Sequence, residues 1–121
     1  MGQPAQSFKE LIVWQKAHQF VLSVYELTSD FPNHELYGLV SQMRRSAVSV
    51  PANIAEGFRK STPADKARFY NIAQGSLAET QYYLILSNDL GYTEENQLSE
   101  LADEIGKILE SYRKKLLTST S

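Results

Sequence analysis

The sequence predicts an all-α fold, an antiparallel up-down-up-down four-helix bundle whose second helix is kinked. Three observations predict it. Apolar residues recur at three- and four-residue spacing in four successive blocks, and no stretch of five or more residues alternates strictly between turns. The blocks match in length, about 22 to 28 residues or roughly 33 to 42 Å of helix each, with short breaks between them. A chain of 121 residues, 42% hydrophobic and 21% charged, suits one core and excludes collagen-like, low-complexity and disordered classes. A helical-repeat solenoid is the competing architecture, but two helix pairs are too few and no internal repeat is visible.

The expected bundle spans residues 8–117, with residues 1–7 an unstructured leader and residues 118–121 a frayed tail. Block one, Ser7 to Thr28, opens with Ser7 and Glu10 in capping-box register. Phe8, Leu11, Ile12, His18, Leu22 and Tyr25 form one stripe of that helix. Trp14, Ala17, Val21 and Val24 form a second beside it. One packing partner needs one stripe, so Trp14, Val21 and Val24 are the expected contact with another copy of the chain. Pro32 ends the block, because the residue before a proline is steered away from helical angles.

Block two runs from His34 to Lys60, and its stripe from Leu36 to Phe58 passes through Pro51 without losing phase. A proline there removes a backbone hydrogen bond and crowds the preceding turn, which predicts the kink. Thr62 and Pro63 suit the cap and first position of a third helix, Pro63 to Leu90, carrying Phe69, Ile72, Ala73, Leu77, Thr80 and Leu84. Gly91 is the stop. The fourth block, from Thr93 to Leu117, holds the cleanest stripe, Leu98 to Leu116.

Composition narrows the function classes. With no cysteine, disulfide frameworks, thiolate metal sites and cysteine nucleophiles are excluded. Neither histidine, His18 or His34, has a glutamate three residues before it, so a di-iron bundle is excluded, and no glycine-rich phosphate loop or nucleophile elbow is present. No enzyme activity, metal or cofactor is expected. The amino-terminal residues lack a secretory signal and no apolar run is long enough to span a bilayer, so a cytoplasmic protein with no membrane partner is expected.

A formal charge of −2 conceals segregation. Residues 34–75 carry Arg44, Arg45, Arg59, Lys60, Lys66 and Arg68 against three acids, whereas residues 76–112 carry eight acids against Lys107. Solvated helix faces with complementary pairing are one reading, and a basic surface for nucleic-acid phosphates is the other. A pI near 5.7 weighs against tight duplex binding.

The stretch from Ser46 to Gly57 is rich in small residues, and Ser49, Asn53 and Glu56 recur on one helical face. Gly75, Ser76 and Glu79 repeat the pattern on helix three. Small residues allow close approach, so Ser49, Asn53, Ser76 and Glu79 are expected to meet as a hydrogen-bonded network that sets helix register, with Glu79 paired near the interior.

Trp14-Gln15-Lys16-Ala17, Glu35-Leu36-Tyr37-Gly38-Leu39, the run from Gln42 through Ser49-Val50-Pro51-Ala52-Asn53-Ile54-Ala55-Glu56-Gly57, and Gly75-Ser76-Leu77-Ala78-Glu79 closely resemble one bacterial family. It comprises four-helix-bundle proteins encoded in intervening sequences of large-subunit ribosomal RNA genes, which are similar to the accessory protein of diversity-generating retroelements. The resemblance implies a homopentameric ring without catalysis, binding RNA or DNA through basic residues. It makes Ser49, Pro51, Asn53, Glu56, Gly57, Ser76 and Glu79 register-setting residues. Candidate phosphate contacts are Arg44, Arg45, Arg59, Lys60, Lys66 and Arg68. The alternative is a scaffold that docks a protein partner through the acidic surface of helices three and four.

Overall fold

The structure, a computed structural model, describes residues 4–118. Four α-helices carry the fold: α1 (Ile12–Thr28), α2 (Ser41–Arg59), α3 (Pro63–Asp89) and α4 (Gln97–Thr118), with no strand among the described residues. Paired residue numbers fall on one helix as they rise on the next. Ser46 meets Thr80 and Ser49 meets Ser76 between α2 and α3. Gln81 meets Asp103 and Gln74 meets Glu110 between α3 and α4. These neighbours are therefore antiparallel. Lys16 of α1 reaches Glu104 of α4 at 2.8 Å and closes the ring of four helices.

Phe20, Met43, Ile54, Leu84, Ile105 and Leu109 fill the centre, and each helix adds a fully buried alanine, Ala17, Ala47, Ala73 or Ala102. Full burial of one such large side chain contributes about 1.5–3 kcal/mol. No helix among the described residues is long and apolar enough to cross a membrane.

The capping box forms, but it caps a short 3-10 turn over Phe8–Glu10 and not the long helix. Leu11 is extended (φ −73°, ψ 125°), and α1 begins after it. Phase counted from Phe8 is thereby reset. The core stripe of α1 is Val13, Ala17, Phe20, Val24 and Thr28, with Val21 beside it. This corrects the expected interface. Val21 and Val24 are buried inside the bundle, and Trp14 is half-buried, stacked on His18 with ring centroids 5.2 Å apart. The stripe assigned inward is the one left outside: Ile12, Leu22 and Tyr25 are exposed.

The second block also starts irregularly. A 3-10 turn (Asn33–Glu35) and a wide turn (Leu36–Val40) precede α2, and the non-helical backbone lies at Gly38 (φ −115°, ψ −107°), not at Pro51. Pro51 is buried within the continuous run from Ser41 to Arg59. The Glu35 carboxylate accepts from the Leu39 amide at 3.3 Å and from the Tyr92 hydroxyl at 2.8 Å, so one side chain ties the α1–α2 connection to the α3–α4 connection.

Thr62 caps α3 by accepting from the Asp65 amide at 3.1 Å, with Pro63 at the first position. Gly91, with φ +79°, provides the left-handed residue that stops α3. Helix α4 starts later than Thr93, because the Glu95 carboxylate takes the Gln97 and Leu98 amides and acts as the cap. Residues 1–3 of the expected leader and 119–121 of the expected tail lie outside the described residues.

Candidate nucleic-acid interface

The six basic residues singled out in the sequence do not form one surface. Arg44 and Arg45 lie in the first turns of α2, whereas Arg59, Lys60, Lys66 and Arg68 lie around the α2–α3 turn. The fifteen positions from Arg44 to Arg59 amount to about 22 Å of helix.

Arg44 is engaged at the end of α1. Its Nε donates to Thr28 Oγ1 at 2.9 Å, its terminal nitrogen donates to the Tyr25 carbonyl at 3.3 Å, and the guanidinium lies 4.6 Å from the Tyr25 ring centroid. A cation on the last carbonyls of a helix meets both an unfilled acceptor and the negative end of the dipole. Lys66 does the same for α2: its Nζ donates to the Phe58 carbonyl at 2.6 Å and lies over the Phe58 ring.

Lys60 and Arg68 both sit over Phe69, at 4.9 and 4.7 Å from its centroid. Aromatic stacking holds the cations while their polar ends stay in water. Arg59 is exposed. Antiparallel packing brings further charge to this end, because α1 begins and α4 finishes there. Lys9, Arg113, Lys114 and Lys115 join Arg59, Lys60, Lys66 and Arg68, eight of the twelve lysines and arginines, against Glu10, Glu56, Asp65 and Glu110. Arg113 binds Glu110 at 2.8 Å, and that hydrogen bond, helped by one from Gln74, holds the Glu110 carboxyl below its ordinary range. The opposite end gathers Glu26, Asp30, Glu35, Asp89, Glu94, Glu95 and Glu100. Sequence order obscured this division, since Arg113 to Lys115 stand far along the chain from Arg59.

The register network is present in part. Ser76 donates to Ser49 Oγ at 2.8 Å, and Asn53 donates to the same oxygen at 2.9 Å and to the Ser49 carbonyl at 2.8 Å. One turn along, Ser46 and Thr80 share a buried contact of 2.7 Å that the sequence reading missed. A threonine inside the apolar stripe of α3, opposite the serine-rich face of α2, was the available signal. Gly57 is the close-approach point, where a Cβ would lie 2.8 Å from Tyr70 Cε1 and 3.1 Å from Phe69 Cβ. Glu56 and Glu79 are corrections, since both are exposed. Glu79 accepts from Tyr83 on its own helix at 2.8 Å, outside the α2–α3 seam, because that seam has room only for small side chains.

A groove of about 510 Å³ between the end of α1 and the start of α2 is lined by Tyr25, Leu36, Tyr37 and Val48 together with Arg44 and Arg45. Tyr37 is 93% exposed. Among the described residues no three His, Cys, Asp or Glu side chains are grouped to hold a metal ion.

Fold and site together define a small helical bundle with one basic and one acidic end. The sequence profile of the 23S rRNA-intervening sequence protein family matches residues 9–113, and the chain belongs to that family. It is also similar to a protein of unknown function from the S23 ribosomal protein family of Bacteroides thetaiotaomicron, known from a crystal structure at 1.70 Å. That similarity has a TM-score of 0.76 and 29% identity over 85% of this chain and 96% of the other. No curated protein matches the chain.

Proposed function

We propose that this chain is a non-enzymatic, self-associating protein that binds RNA or DNA at the basic end of its bundle. The gathering of eight cations at one end supports the reading most directly, because phosphate binding depends on local charge and not on the net charge of the chain. Arg59, Lys60 and Arg68 are the phosphate contacts. Arg44 belongs to the α1 terminus, and Arg45 lies at the far end.

Self-association uses the apolar face left outside. Leu22, Tyr25, Leu36, Tyr37 and Val48 are exposed on α1, its following connection and α2, and large exposed apolar patches mark interaction surfaces. The resemblance to intervening-sequence proteins supplies the number five.

Filter binding of structured RNA tests the reading. Wild-type protein is expected to bind at about 50 mM salt with affinity that falls as salt rises. The double variant Arg59→Glu/Arg68→Glu should lose binding and flatten the salt slope, and Arg45→Glu should keep both. No binding at low salt, or binding without a salt slope, overturns the proposal. A docking role for the acidic end has one observation in its favour, the seven acids collected there, and a partner captured by the acidic end after nuclease treatment would favour it.

A further inference from the structure

At the basic end a cavity of about 220 Å³ opens between the start of α1 and helices α3 and α4, lined by Leu11, Lys66, Tyr70, Tyr112, Lys115 and Leu116. We propose that this cavity receives a single unpaired nucleobase, with Lys115 taking an adjacent phosphate. The inference rests on the reading of the basic end as a nucleic-acid interface and adds the form of nucleic acid it selects.

The lining matches the chemistry of a base. Leucine side chains and the rings of Tyr70 and Tyr112, tilted 48° to each other with centroids 6.4 Å apart, give an apolar and aromatic lining for a flat ring to lie against. The volume is below the roughly 300–1,000 Å³ of pockets that enclose drug-sized molecules, which suits one ring system and not a base pair.

Tyr70 supplies a polar feature. It is only 5% exposed, and its hydroxyl has no hydrogen-bond partner among the described residues. Asn88 Oδ1 is the one fully buried side-chain polar atom left unpaired among them, so the Tyr70 hydroxyl keeps some contact with solvent. Burial, and then the neighbouring Tyr112, push its pKa up, so it stays a protonated donor. A ring nitrogen or carbonyl on a base edge is the acceptor it lacks.

One exposed ammonium group shares the cavity. Lys66 is committed to the Phe58 and Gly57 carbonyls at the end of α2, whereas Lys115 is exposed. Bases inside a duplex are stacked and must be extruded at a cost before they enter such a cavity, so single strands, bulges and ends are the preferred ligands.

The test compares two labelled strands of equal length by fluorescence anisotropy, an oligouridine and a matching abasic strand. Both carry the same phosphates. The oligouridine should bind at least about fivefold more tightly, the equivalent of one stacked base, with the same salt slope. Tyr112→Leu, checked for an unchanged melting curve, should reduce the two affinities to equality, while Lys115→Gln should lower the salt slope for both. Equal binding of the two strands to the wild-type protein overturns the base cavity and leaves the basic-end reading intact. A preference undiminished in Tyr112→Leu also overturns it. Failure of both strands to bind at about 50 mM salt overturns both readings together.

Discussion

The seam between α2 and α3 and the groove between α1 and the start of α2 invert the usual division of side chains. The seam carries serine, threonine, asparagine and glycine, yet Ser46, Gly57 and Thr80 are buried and Ser49, Asn53 and Ser76 half-buried, because the polar side chains bond to one another or to a carbonyl one turn back. The groove is lined by leucine, tyrosine and valine, yet it lies outside. Polarity by itself does not tell interior from surface. A polar residue goes inside when the facing helix offers a partner, and a large apolar residue stays outside when its own helix has already filled its inward face.

The comparison breaks most sharply at Gly57. Gly57→Val sets a branched side chain where Tyr70 and Phe69 leave no room, and a loss of about 3 kcal/mol in urea unfolding is expected. A stability equal to wild type would mean that the seam is not close-packed. Thr80→Val keeps the shape and removes the contacts to Ser46 and to the Ser76 carbonyl, with an expected loss of about 1.5 kcal/mol. Adding Ser46→Ala should cost less than it does in the wild-type chain, since the Ser46 hydroxyl by then keeps only its bond to the Met43 carbonyl, and strictly additive losses would show that the two side chains are uncoupled.

Glu79→Ala sharpens the boundary of the seam. The carboxylate is outside it, so stability should change by less than about 0.5 kcal/mol. The hydrogen bond to Glu79 holds the Tyr83 pKa above the usual 10.0, so in this variant an ultraviolet titration should move Tyr83 down. The sign follows: the raised native pKa contributes stability below pH 10.0 that is lost as pH rises through the native value, and the variant lacks that alkaline loss. Leu22→Ser with Tyr37→Ser should leave the helical content of the subunit nearly unchanged, as circular dichroism would report, because both side chains lie outside the core of the single bundle. Sedimentation should nevertheless report a smaller particle than wild type. An unchanged size would discard this apolar face as the contact between copies.

Much of this was legible in the chain. The four helices, the Thr62–Pro63 start and the Gly91 stop follow from local chemistry, as does the pairing of Ser49 with Ser76 and Asn53. The inward face of α1 was not. One extended residue, Leu11, separates Phe8 from the helix, and a periodicity count carried across it selects the wrong stripe, so Val13 and Phe20 went unnoticed. The candidate interface was only half legible, because linear charge cannot tell that Arg44 is consumed by a helix end, nor that Arg113 to Lys115 return to Arg59. Those facts depend on which ends the antiparallel packing brings together.

That packing has a practical consequence for handling the protein. Leu11 and Leu116 line the same cavity, so the two termini of the bundle leave from the same end, beside the base-sized opening. A purification tag or fusion partner attached at either terminus is delivered to the surface most in need of being clear. A circular permutant joined across those termini and reopened near Gly91, among the acids, would carry its appendages at the other end of the rod and leave the basic end unencumbered.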